Sequence, residues 1–230
     1  MSPPPVNTPF RDPDFHSRMV RVTDANTVAR DPGVSFHSAD SGEMNEWSKF
    51  DPSIGEHGGY RFWVDGPAGI QLPFEMDAST MRVTRIRGKR RGFVGAHGRL
   101  PFGSSFSHSN PGILYGIWGT TLVQYNFATD KVKPVYNFAR CPGLPKGAVS
   151  HNMHTGELTS SADDTKFAWM FGGWEQDMTT LAVLYDRAAN GGAGACYWYQ
   201  TDSGTVGGTN MPARAVSNGA GKLAPPAPPQ

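Results

Sequence analysis

Three segments of this chain repeat one plan, and that repetition limits what the chain can fold into. "IQLPFEMDASTMRVTRI" (70–86), "TLVQYNFATDKVKPVYNF" (121–138) and "LAVLYDRAANGGAGACYWY" (181–199) each run as an apolar strand, a polar turn and a second strand. The turns open at Asp77, Asn126 and Asp186, spaced 49 and 60 residues apart. An Asp or Asn side chain accepts hydrogen bonds from backbone N–H groups two residues on, which is why it opens turns. A further strand precedes each hairpin: "YRFWVDG" (60–66), "ILYGIWG" (113–119) and "FAWMFGG" (167–173). Each is apolar and ends at Gly, where the chain reverses.

The repeated unit is therefore strand, Gly turn, strand, Asx turn, strand. One such unit cannot bury its own apolar faces, so neighbours must stack. Units of this size with about four strands point to propeller blades. The expected fold is all-β, with antiparallel blades of a β-propeller over 14–208. "RMVRVTDA" (18–25) supplies part of an earlier blade. At roughly 45 residues per blade the 230 residues hold five at most. Three to four are readable, so an incomplete propeller is expected, with self-association as one consequence. Residues 1–13 read as a disordered arm and 209–230 as a disordered Pro-rich tail. "EMNEWSKF" (43–50) has room for a helical turn or two.

Composition agrees with short strands and tight turns. The chain has 28 Gly, 19 Pro and 11% aromatic residues, too many bulky groups for a disordered chain. Its net charge of +1 provides no global field for nucleic acid or an anionic membrane. No run approaches the ~18 apolar residues of a membrane helix, so neither nucleic acid nor membrane insertion is expected. The opening "MSPPPVNTPFRDPDF" has no apolar core and does not read as a signal peptide.

The residues that could carry chemistry are scattered. "SSADDTKFAW" (160–169) runs two adjacent carboxylates into an alternating strand. Ser161-x-Asp163-Asp164-x-x-Phe167 resembles the serine–x–aspartate–glycine turn that leads into blade strands of TolB-type and WD-repeat propellers. That likeness implies that Asp163 caps the turn. Asp164 stands where Gly is usual, and Asp tolerates the left-handed conformation needed there. Cys141 and Cys196 either form a disulfide, in an exported protein, or remain two buried thiols.

His151 and His154 would reach one metal only through a bend, with Glu157 joining; no metal site and no cofactor are expected. His97 and His108 read as solvated loop residues. Arg85, Arg87, Lys89, Arg90 and Arg91 form a cationic run that suits an anionic ligand or protects a strand edge. "FGGWEQDMTT" (171–180) places Trp174, Glu175, Gln176 and Asp177 between two strands, with Trp118 and Trp63 at comparable strand ends. Aromatic faces beside carboxylates and an amide make a workable sugar-binding surface; equally, tryptophans fill gaps between blades. "SNGAGKL" (217–223) lacks both the first Gly and the hydroxyl of a phosphate loop.

"RDPDFHSRMVRVTDANT", "CPGLP" and "CYWYQTDSGTVGG" resemble, in that order, motifs of an uncharacterised group of exported propeller-like proteins common in Acidobacteria-type genomes. His16 stands where that group tends to have Gly. The resemblance implies a propeller fold and an extracellular or periplasmic location, but no activity. Two functions remain in view. One is a non-catalytic binding or scaffold module that recognises a glycan or protein through blade-end loops. The other is a hydrolase or lyase on polysaccharide, using Glu157, Glu175 and Asp177.

Overall fold

A computed structural model describes residues 4–27, 46–66, 70–87, 104–145, 148, 158–172, 181–201 and 203–216. The chain opens on a hairpin, β1 (Pro9–Arg11) with β2 (Arg18–Val20). Three antiparallel sheets follow. The first holds β3 (Gly59–Gly66), β4 (Ile70–Asp77) and β5 (Val83–Arg85). The second holds β6 (Ser105–Phe106), β7 (Ile113–Trp118), β8 (Thr121–Asn126) and β9 (Lys131–Asn137). The third holds β10 (Thr159–Ser160), β11 (Lys166–Phe171), β12 (Leu181–Asp186), β13 (Ala195–Gln200), β14 (Thr205–Gly208) and β15 (Met211–Ala215).

Every strand pairs with its sequence neighbour, so each sheet is a meander. The turns explain why. Asp77 accepts from the Ser79 and Thr80 amides, Asn126 from the Thr129 amide, and Asp186 from the Ala188 and Ala189 amides. The three turn openers read from sequence are thus the residues that fold the chain back.

Alternation then decides which faces are covered. Along β7, Leu114 joins Trp63, Phe106, Val123 and Tyr125 in a cluster between the first and second sheets. Its neighbours Ile113, Tyr115 and Ile117 point the other way and pack on Phe167, Trp169, Phe171, Val183 and Tyr185 of the third sheet. The second sheet is therefore covered on both faces, as a propeller blade is. Fully burying each of these aromatic or branched side chains stabilises by about 1.5–3 kcal/mol. Ring contacts knit the joint: Tyr115 meets Phe167 edge-on at 4.7 Å, and Tyr136 stacks on Tyr185 at 4.2 Å. A third cluster, Phe62, Leu72, Phe74 and Val83, takes Val20 and Val22 against it.

Several expectations are corrected. β1 lies inside the stretch expected to be disordered, because Pro9, Phe10 and Arg11 find a pairing partner in β2. The expected strand at 18–25 stops at Val20. β14 adds to β13, and β15 carries the third sheet past position 209, into the expected tail. Trp47, within the expected helical turn, is extended and bridges to Phe62, on which its ring stacks at 4.4 Å. Aromatic packing wins there over a weak helical pattern.

Candidate functional site

The two ends of the sheets differ in what they hold. At the end bearing the Asx turns, polar side chains join one sheet to the next. Asp163 caps its own turn, accepting from Ser161 Oγ at 2.5 Å, Thr165 Oγ1 at 2.8 Å and the Thr165 amide at 3.1 Å. These bonds, led by that from Ser161, hold its carboxyl well below the usual range. Asp164 adopts φ 54°, the left-handed conformation for which Gly is usual. That turn aims its carboxylate across to the second sheet. There it accepts from Ser107 Oγ at 2.5 Å, from Ser109 Oγ, and from the His108 and Ser109 amides at 3.0 Å. Asp164 is fully buried. Burial opposes its charge, but the hydroxyls and amides together outweigh that and keep its pKa below the ordinary carboxylate value.

A cation does the equivalent work between the first and second sheets. Arg61, buried in β3, pairs with Asp51 and with Glu75 (3.0 Å), donates to the Pro111 carbonyl at 3.0 Å, and lies 5.1 Å from the centre of the Phe127 ring. Burial again opposes the charge on Asp51, but hydrogen bonds from Ser53 and Arg61 prevail and lower its pKa. Beside this network, a recess of about 320 Å³ is lined by Glu56, Glu75, Asp77 and Arg82 among others. Asp77 is committed there to the Ser79 and Thr80 hydroxyls and amides of its own turn.

The opposite end carries Trp118, at the β7–β8 turn and 58% exposed. The strand registers place Phe171 and Leu181, which flank 172–180, at this same end of the third sheet, and Gly66 and Ile70 at this end of the first. β5 also runs toward it, and exposed Arg87 follows. Trp174, Glu175, Gln176, Asp177, Lys89, Arg90, Arg91, His97, His151, His154 and Glu157 lie outside the described residues.

The structure separates residues that the sequence grouped. Trp63 is not at a strand end: it sits within β3, 1% exposed, against the second sheet. Arg85 donates to the Thr27 carbonyl at 2.8 Å and so is tied to the N-terminal segment. His108 uses its backbone N–H on Asp164, at the end away from Trp118. The Cys141 and Cys196 sulfurs are bonded, tying the segment after β9 to β13; Trp198 Nε1 donates to the Pro142 carbonyl beside them. The His16 position, where the resembled group has Gly, has φ 58°.

Sequence reading missed the reach of Asp164 and the Arg61–Asp51 pair. One signal was available: Ser107 stands six residues before the start of one apolar strand, Ile113, and Ser161 five before the start of another, Lys166. The two serines open corresponding turns of adjacent sheets.

Meandering antiparallel sheets, stacked face to face and joined at one end by polar turns, define a protein of propeller-type, all-β architecture. Among solved structures, the chain is similar to an oligogalacturonate lyase from Vibrio parahaemolyticus, with a TM-score of 0.43 and 12% identity over 90% of this chain and 58% of that one. The chain thus spans a little over half the length of that structure. No family profile matches the chain, and no curated protein matches it in sequence.

Proposed function

We propose that this protein is a non-catalytic binding or scaffold module, recognising a glycan or protein through the loops at the Trp118 end. The observation that carries the reading is the register itself: an exposed indole stands at the same end as the strand termini flanking "GGWEQDMTT" (172–180). An aromatic face beside hydroxyl, amide and carboxylate groups stacks on sugar rings and bonds their rims. Arg87 follows β5, which runs toward this end; the sequence goes on to Lys89, Arg90 and Arg91, and cations of this density favour an anionic ligand. At the opposite end, the carboxylates of Asp51, Asp163 and Asp164 are engaged in holding turns and sheets together. The buried Cys141–Cys196 bond supports an oxidising, extracellular or periplasmic setting.

The test is a glycan array followed by titration of the bound oligosaccharide against Trp118→Ala and Trp174→Ala. Loss of about tenfold or more in affinity for either variant is expected from removing one stacking ring. Unchanged affinity in both ends the proposal. Chain cleavage of the bound polysaccharide, abolished by Glu175→Gln or Asp177→Asn, would replace it with the hydrolase or lyase reading.

A further inference from the structure

Among the described residues, the stacking rule leaves one face only partly covered and another with no sheet against it. Three residues before each turn opener stand Phe74, Val123 and Val183. Val123 faces the first sheet and Val183 the second, so this position points toward the preceding sheet. Phe74 occupies the same position in the first sheet, on the flank that also carries Phe62. The β1–β2 hairpin covers part of that flank through Val20 and Val22. The rest presents Trp47 and Phe50, 45% and 46% exposed, gathered around Tyr60 by edge contacts at 6.4 and 5.7 Å.

At the other extreme, alternation along the third sheet puts Phe167, Trp169 and Phe171 toward the second sheet. It leaves Ala168 and Met170 of β11, Ala182 and Leu184 of β12, and Tyr197 and Tyr199 of β13 on the far face. Cross-strand register aligns them as Ala168–Leu184–Tyr197 and Met170–Ala182–Tyr199. Met170, Leu184 and Tyr199 are 47%, 38% and 36% exposed. Position matters here. Two residues before the turn openers stand Glu75, Gln124 and Leu184, so the sheet with no neighbour on this face among the described residues carries an apolar group where the other two carry polar ones. A contiguous apolar face of this kind marks an interaction surface.

We propose that a second copy of this chain docks head to tail, setting its Trp47–Phe50 flank on the Met170–Leu184–Tyr199 face. The contact continues the sheet-on-sheet packing already present twice within one chain, with the same faces meeting in the same order. On the described residues each copy offers one flank of each kind, and in the proposed assembly half a turn per copy lets two copies satisfy both contacts as a two-fold ring. The inference uses the faces of the sheets rather than their ends and does not depend on the binding reading.

Size-exclusion chromatography with light scattering on the full chain reads the outcome. Wild type is expected at twice the 24.9 kDa of one chain at micromolar concentration. Both Met170→Lys/Leu184→Lys and Phe50→Lys are expected to elute as monomers, weakened ~100-fold or more by charge placed in an apolar contact. Near-UV circular dichroism checks that each variant remains folded. Mixing the two variants should give a heterodimer weaker than wild type, held by the one contact in which the intact flank of one meets the intact face of the other, since the second contact then sets lysine against lysine. A monomeric wild type would overturn the proposal. So would a dimer that Phe50→Lys leaves untouched, which means two far faces meeting each other, and so would an open polymer that lengthens with concentration.

Discussion

The joint between the first and second sheets and the joint between the second and third solve one problem with different chemistry. Both must keep two antiparallel sheets in fixed register at the end where the Asx turns lie. The earlier joint uses a cation, Arg61, held by Asp51 and Glu75 on its own sheet and reaching across to the Pro111 carbonyl and the Phe127 ring, beside a small apolar cluster built round Trp63. The later joint uses an anion, Asp164, surrounded by two hydroxyls and two amides. It adds a larger aromatic cluster and the Cys141–Cys196 bond. A buried guanidinium needs partners of opposite charge, which are themselves costly to desolvate. A buried carboxylate held by neutral donors brings no second charge into the interior. The later joint is thus the stiffer of the two.

Substitutions sharpen the contrast. Asp164→Ala strips the acceptor from four donors and forces Ala into a left-handed backbone; together these cost about 4–5 kcal/mol, read as a fall in the urea midpoint. Asp164→Asn, which tolerates that backbone, should recover much of the loss. Replacing both cysteines by Ser removes a closure across a separation of 55 residues and costs about 4 kcal/mol in the chain-entropy model, with the drop seen in calorimetry. Arg61→Met leaves Asp51 buried without its cation and costs about 3 kcal/mol, while the third sheet's near-UV aromatic signal stays intact.

The smallest effect is that of acid. Asp51 and Asp164 both have folded pKa values lowered from the ordinary one. The stability they contribute is therefore full above the unfolded value of about 3.9 and is lost as pH falls through the folded values below it. Wild type should begin to loosen only below about pH 4, and Asp164→Asn should blunt that response; an identical acid profile would remove Asp164 from the joint.

Much of the fold is legible in the sequence because its signals are local. Asp77, Asn126 and Asp186 open turns by bonding their own neighbours, and the strands around them alternate in place. The left-handed backbone at Asp164 was readable from the Ser161–Asp164 turn pattern. What escaped was long-range. Nothing near Asp164 says that its partners lie 55 to 57 residues earlier, and nothing near Arg61 names Pro111. β1 was missed for the same reason: Pro9–Arg11 has no strand periodicity of its own and is ordered by β2. Trp63 and Trp118 look alike in sequence, each near the end of an apolar run, yet one is enclosed between sheets and the other faces solvent. Burial of that kind depends on neighbouring sheets, which strand periodicity does not encode.

Amide hydrogen exchange on the native protein tests the two joints most directly, since it reports the opening free energy of each segment separately. A stiffer later joint predicts slowest exchange in β7 and β11–β13, with the His108 and Ser109 amides protected alongside them and β3–β5 exchanging earlier. Reduction of the disulfide should bring the groups closer together. Equal protection across all three sheets, or β3–β5 outlasting β11–β13, would contradict the ranking.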